Sequence, residues 1–158
     1  MRILGIDPGT TRIGYGLIEK NGGVRLIDSG LISGEGVSRD KRLVLLEKEL
    51  VKLIRHLNPD LVSLEKLFFT KNKRTAMAVS EARGVIILTV RKLGVPLLEF
   101  TPSDIKATVA GNGRADKEEV KRAVCYTLGI RSVPEPDDVS DALAIAIRGS
   151  FNSMSERA

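Results

Sequence analysis

Short apolar runs broken by turn residues open the chain. Ile3–Ile6 runs into Asp7-Pro8-Gly9, which reads as a strand ending in a turn. A second strand pattern over 13–19, the turn Asn21-Gly22-Gly23 and a third over 24–33 predict an antiparallel meander. The period then changes. Leu43, Leu46, Leu50, Leu53 and Leu57 recur at helical spacing and predict a helix over 42–57, stopped by Asn58-Pro59. Leu61-Val62-Ser63-Leu64-Glu65 is a buried strand ending in a carboxylate, so strand, helix and strand imply a parallel, right-handed crossover.

A helix over 75–93 follows, ended by Gly94-Val95-Pro96, and then a strand over 97–100. Thr101-Pro102-Ser103 starts a short helix through 110. Asp116-Lys117-Glu118-Glu119 is a capping box that opens another helix to 128. After the stiff Pro134-Glu135-Pro136, the last helix is expected over 138–148, with Asp137 or Asp138 as its N-cap. This order predicts an α/β protein, a three-layer α/β/α arrangement around a five-stranded mixed sheet. Residues 1–150 read as one domain, while Gly149 onward lacks periodicity, so 151–158 is expected to be a disordered tail.

Composition adds little to this picture. The 158 residues hold 25 Lys and Arg against 20 Asp and Glu, a net charge of +5, which favours a polyanionic partner without specifying one. The single cysteine, Cys125, excludes an intramolecular disulfide and fits a reducing compartment. The first apolar run is too short for a secretory signal and no stretch reaches membrane-spanning length, so a cytoplasmic protein without membrane contact is expected. His56 has no Cys or other His beside it and is read as structural rather than as a zinc ligand.

The carboxylates change the picture more. Asp7 and Glu65 each end a strand, and if those strands are parallel neighbours both emerge at the edge where such sheets bind ligands. Asp138 and Asp141 share one face of the last helix, whose run Ala142-Leu143-Ala144 permits close packing on the sheet. Each residue alone has a plain reading: a turn for Asp7, a cap for Asp137 or Asp138, a favourable helix-dipole site for Asp141. Glu65 is the hardest to dismiss, because an unpaired carboxylate at the end of a buried strand is costly. Clustered carboxylates repel one another unless a hard cation neutralises them, and two magnesium ions, or manganese in their place, suit phosphodiester hydrolysis.

Two basic groups accompany them. Phe68, Phe69, Lys71, Lys73 and Arg74 directly follow the Glu65 strand, an arrangement suited to stacking on bases and gripping phosphates, although one Phe is expected in the core. Lys106, Arg114, Lys117, Lys121 and Arg122 lie around Gly111-Asn112-Gly113, and Lys106, Arg114 and Lys117 are candidate DNA contacts. The helix over 75–93 is apolar nearly all round, with a small-residue stripe at Ala76, Ser80 and Gly84, which suggests a homodimer through this helix.

Gly5-Ile6-Asp7-Pro8-Gly9, Leu64-Glu65-Lys66-Leu67-Phe68, Ala82-Arg83-Gly84 and Asp138-Val139-Ser140-Asp141-Ala142-Leu143-Ala144 together resemble the RuvC family of Holliday-junction resolvases, over about Arg2 to Arg148. The resemblance implies an RNase H-like fold and a homodimeric, magnesium-dependent endonuclease of DNA recombination and repair. Such an enzyme cuts two like-polarity strands of a four-way junction symmetrically and leaves ligatable nicks. By motif, Asp7, Glu65, Asp138 and Asp141 would be the metal-binding catalytic residues. Counting back from Asp141 selects Asp138 over Asp137, at a position where some members carry His. Phe68 would match the aromatic that wedges at the crossover, Lys106 and Lys117 basic residues near the scissile strand. A branch-migration motor complex is an implied partner.

Two rival readings remain in view. Asp7-Pro8-Gly9-Thr10-Thr11 also resembles the first phosphate loop of actin-like and sugar-kinase proteins, but those need two lobes and a second phosphate loop, which this chain does not offer. A junction-binding protein without catalysis would keep the basic groups but has no need of the acids.

Overall fold

The computed structural model describes residues 1–67 and 73–152, the side chains of 73 and 74 apart. The elements are β1 (Arg2–Asp7), β2 (Arg12–Asn21), β3 (Gly23–Ser33), α1 (Arg39–Leu57), β4 (Leu61–Glu65), α2 (Lys73–Lys92), β5 (Leu97–Phe100), α3 (Pro102–Ala110), α4 (Lys117–Leu128) and α5 (Asp137–Ser150). The strands form one sheet in the order β3-β2-β1-β4-β5. The β1–β2 and β2–β3 pairs are antiparallel, joined by tight turns, and Gly22 takes a φ of 74° at the hairpin tip. The β1–β4 and β4–β5 pairs are parallel, as helical crossovers require.

Alternation along the central strands separates two cores. Ile3 and Leu61 pack with Val139, Leu143 and Ile147 of α5 and with Ile105, Val120 and Val124 of α3 and α4. Leu4, Ile6, Val62 and Leu64 point the other way, toward Leu46, Leu50 and Ile54 of α1 and Ala82, Ile86 and Val90 of α2. The sheet therefore lies between two helical layers, in the expected α/β/α order.

The tightest contact is between α5 and the sheet. A Cβ on Gly5 would lie 2.1 Å from the Ala142 carbonyl oxygen, and one on Gly14 would lie 2.0 Å from that of Asp138. Only glycine lets the helix backbone rest directly on β1 and β2, and this approach sets where the first turn of α5 falls.

Several boundaries depart from the sequence reading. Helix α1 starts at Arg39, a turn earlier than its leucine period indicates, and α2 starts at Lys73. Pro136, not Asp137 or Asp138, is the N-cap of α5, and no side chain caps it. The proline supplies an extended φ of −83° at the cap, so both aspartates lie inside the first turn. Helix α5 also continues past 148. Gly149 and Ser150 are buried, and the Ser150 hydroxyl donates to the Ile147 carbonyl at 2.8 Å. Phe151 and Asn152 fold back on the helix end, with Arg148 donating to Asn152 Oδ1 at 2.6 Å. The rest of the expected tail, 153–158, lies outside the described residues. Finally, α2 buries one side only: Met77 and Leu88 are 63% and 60% exposed, beside exposed Ser80 and Gly84.

Candidate active site

The parallel register of β1 and β4 aligns Ile6 with Leu64, so Asp7 and Glu65 follow side by side at the C-terminal ends of the two strands. Both fall on the α5 side of the sheet by alternation. The close seating of α5 brings its first turn to the same edge. Asp7, Glu65 and Asp141 consequently line one cavity of about 200 Å³, closed below by Ala144 and Ile145.

Two capped helices supply the opposite wall. The Thr101 hydroxyl accepts from the Asp104 N–H at 3.1 Å and Asp104 accepts from the Thr101 N–H at 3.2 Å, a reciprocal box that starts α3 immediately after β5. Asp116 and Glu119 form the corresponding box at the start of α4, as the sequence predicts. These starts put Pro102, Ile105 and Lys106 of α3 and Lys117 and Val120 of α4 around the carboxylates.

Electrostatics follow from this packing. Burial, then the charges of Asp141, Glu65 and Asp138, push the Asp7 carboxyl from its ordinary 3.8 up to about 8, against the opposing pull of Lys117. Glu65 is raised first by burial and then by Asp141, with Lys106 opposing. Asp141 is raised by burial and by Asp137 and Asp138, while Lys117 and Lys106 pull it down. The carboxylates of the cavity thus share a deficit of positive charge that the two lysines only partly relieve.

Asp138 stands at the edge of this group. It repels Asp7 and Asp141, but it does not line the cavity, and it forms an ion pair with Arg12 Nη2 at 3.4 Å. Asp137 faces outward, with Lys121 Nζ at 3.3 Å and Lys117 Nζ at 3.6 Å, and Lys121 first among them holds its carboxyl below the usual range. Arg114 is exposed and belongs to the turn before α4, where its N–H donates to Asn112 Oδ1 at 3.0 Å, away from the cavity lining. Phe68, Phe69 and Lys71, together with the side chains of Lys73 and Arg74, lie outside the described residues.

The donor set suits a hard divalent cation: carboxylate oxygens only, with protonation raised by burial and by one another. Among the described residues no three acidic, His or Cys side chains are already drawn into a coordinating cage.

Two arginines beside the site escaped the sequence reading. Arg12 meets Asp138 only because β2 and the start of α5 are packed together. Arg83 lies in the motif Ala82-Arg83-Gly84, yet nothing in its spacing discloses that its Nε donates to the Glu65 carbonyl at 3.1 Å.

A family described as "Crossover junction endodeoxyribonuclease RuvC" matches residues 3–149. The chain belongs to this family. It is 48% identical to the crossover junction endodeoxyribonuclease RuvC of Chloroflexus aggregans (strain MD-66 / DSM 9485), over 97% of this chain and 94% of the relative. The solved structure of Thermus thermophilus RuvC superposes with a TM-score of 0.88 at 30% identity, covering 100% of this chain and 98% of that one. T. thermophilus RuvC in complex with a Holliday junction substrate gives 0.86 at 28% identity, covering 96% and 94%. The RNase H-like fold and the activity class, structure-selective endonucleolytic resolution of Holliday junctions, are those of the family, and they agree with the resemblance drawn from the motifs. Among the described residues no helix is long and apolar enough to cross a membrane.

Proposed function

We propose that residues 1–150 act as one nuclease domain that resolves four-way DNA junctions by hydrolysing one phosphodiester in each of two like-polarity strands. In this reading Asp7, Glu65, Asp138 and Asp141 are the metal-binding carboxylates. The observation that supports it best is the convergence of Asp7, Glu65 and Asp141, from three separate elements, in one cavity where burial raises the pKa of each. A fold could satisfy its packing without gathering acids at that cost, so the arrangement calls for a cationic ligand.

Two magnesium ions, replaceable by manganese, would be held by these oxygens and would supply Lewis acidity toward the attacking water and the leaving oxygen. The chain's own groups set up the rest. Lys106 and Lys117, on the wall facing the carboxylates, are placed to meet a phosphate entering the cavity. Asp138, at the edge of the group and paired with Arg12 at 3.4 Å, would be the fourth carboxylate to hold the two ions. Phe68 and Phe69, with Lys71, Lys73 and Arg74, are the proposed contacts at the crossover, and Arg114 an outer phosphate contact.

Two symmetric cuts need two sites. The exposed Met77, Ser80, Gly84 and Leu88 lie along one face of α2, and a Cβ at Gly84 would meet nothing within 4 Å, so this face suits close packing against a second copy. A branch-migration motor complex is a further partner on family grounds. The lone cysteine and the DNA substrate support a cytoplasmic setting.

The test is nick mapping on a synthetic four-way junction and on a linear duplex of the same arms, with magnesium, with manganese and with chelator. Paired nicks at symmetric positions on the junction, dependent on the cation, are expected. Equal cutting of linear duplex, or cutting in chelator, would sink the proposal.

A further inference from the structure

The motif Ala82-Arg83-Gly84 has no part in the cavity, yet its central residue touches the backbone that holds Glu65. Arg83 rises from α2, on the face of the sheet opposite the carboxylates. Its Nε donates to the Glu65 carbonyl at 3.1 Å, and its Nη2 forms an ion pair with Glu99 Oε1. Glu99 belongs to β5, paired in register with Leu64, the residue before Glu65. One guanidinium thus bridges the last carbonyl of β4, the neighbouring strand and a helix. Its side chain is 20% exposed, so the fork is partly withdrawn from competing water.

The location matters because β4 ends there. The Lys66 N–H still bonds to the Phe100 carbonyl at 2.7 Å, after which the chain leaves the sheet. A strand end frays unless its backbone groups are held, and fraying at Glu65 would move its carboxylate on the far face. Arg42 differs: it donates to the carbonyls of Thr10 and Val37, neither of them a residue of β1 or β4.

We propose that Arg83 is a positioning residue, which fixes the Glu65 carboxylate for cation binding by clamping the Glu65 carbonyl and Glu99 from behind the sheet. This rests on the reading of Glu65 as a metal-binding carboxylate. The experiment compares Arg83→Met, Arg83→Lys, Glu99→Gln and Glu65→Gln with the parent protein. It measures Mn2+ binding to the DNA-free protein by calorimetry, single-turnover cutting at saturating junction, and junction affinity in chelator.

Loss of an outer partner of a metal ligand weakens metal affinity or activity by about ten- to a hundred-fold. Arg83→Met is expected to lose that much in Mn2+ affinity and cutting rate, with junction affinity held within about twofold. Arg83→Lys, which keeps the charge facing Glu99 but not the fork, should fall between Arg83→Met and the parent. If Arg83→Met does not fold, Glu99→Gln must still weaken Mn2+ binding, and unchanged binding in Glu99→Gln would then overturn the proposal. Parent-like Mn2+ affinity and rate in folded Arg83→Met, while Glu65→Gln abolishes cutting, would overturn this inference alone. Normal cutting by Glu65→Gln would overturn both the clamp and the site it serves.

Discussion

Asp7 carries the largest electrostatic burden among the gathered acids. Its carboxyl is raised to about 8 in the folded protein from an ordinary 3.8, so between those values the folded chain binds the extra proton. The associated stability is fully present below the unfolded value and is lost as pH rises through the folded one. Glu65 and Asp141 are raised in the same sense. Without divalent cations, unfolding measured by urea between pH 5 and 8 should therefore show stability declining with pH. Asp7→Asn should flatten this dependence and raise the unfolding free energy near pH 8 by about 0.5–2 kcal/mol, the range of single stabilising changes. A parent-like pH slope in Asp7→Asn would show that the carboxyl is not so perturbed. Asp7 and Glu65 could be singled out in the sequence because strand ends are visible as apolar runs that stop at an acid. Arg12 and Arg83 could not, because each meets its carboxylate strand or helix only through tertiary packing.

At the scale of elements, α5 decides where the second pair of acids falls. Gly5→Ala would drive a methyl into the Ala142 carbonyl, so it should destabilise by about 3 kcal/mol, at the upper end for overpacking, and it should slow cutting further by displacing Asp141. Equilibrium unfolding checks the first part and single-turnover cutting the second; a parent-like Gly5→Ala would contradict the seating of α5. The elements themselves were largely readable. Leucine spacing marked α1, Thr101-Pro102-Ser103 marked the start of α3, one capping box marked α4, and the Asn21-Gly22-Gly23 turn marked the hairpin. The start of α5 was misread, because aspartates beside a proline look like caps when the proline itself holds that position. The apolar breadth of α2 was readable, but only the fold shows which side stays uncovered. Leu88→Glu, on that side, should leave the fold intact and shift the protein from dimer to monomer in sedimentation. A Leu88→Glu protein that still sediments as a dimer would exclude this face as the interface.

At the scale of the molecule, a net charge of +5 is modest, so junction affinity must come from placed cations rather than from bulk charge. Removing Lys71 or Lys73 should each lower the slope of log affinity against log salt by about one, with uniform loss across junction sequences. An unchanged slope would remove those lysines from the phosphate contacts. The α/β/α architecture was legible from element order alone, since a meander followed by two crossovers leaves few ways to build the sheet. The site was legible only as a set of candidates, because its closure depends on glycine contacts that no periodicity encodes.

The central claim is that the acids gathered at the ends of β1, β4 and α5 perform the cutting and are not needed for recognition. The most direct measurement places Asp7→Asn, Glu65→Gln and Asp141→Asn beside the parent on one synthetic junction with magnesium, scoring single-turnover nicking and junction affinity in the same preparation. The account predicts that each variant loses nicking by about a thousand-fold or more, the scale of removing a group that acts in the transition state, while binding the junction at least as tightly as the parent. Parent-like nicking by any of the three, or loss of nicking matched by an equal loss of junction binding, would contradict it.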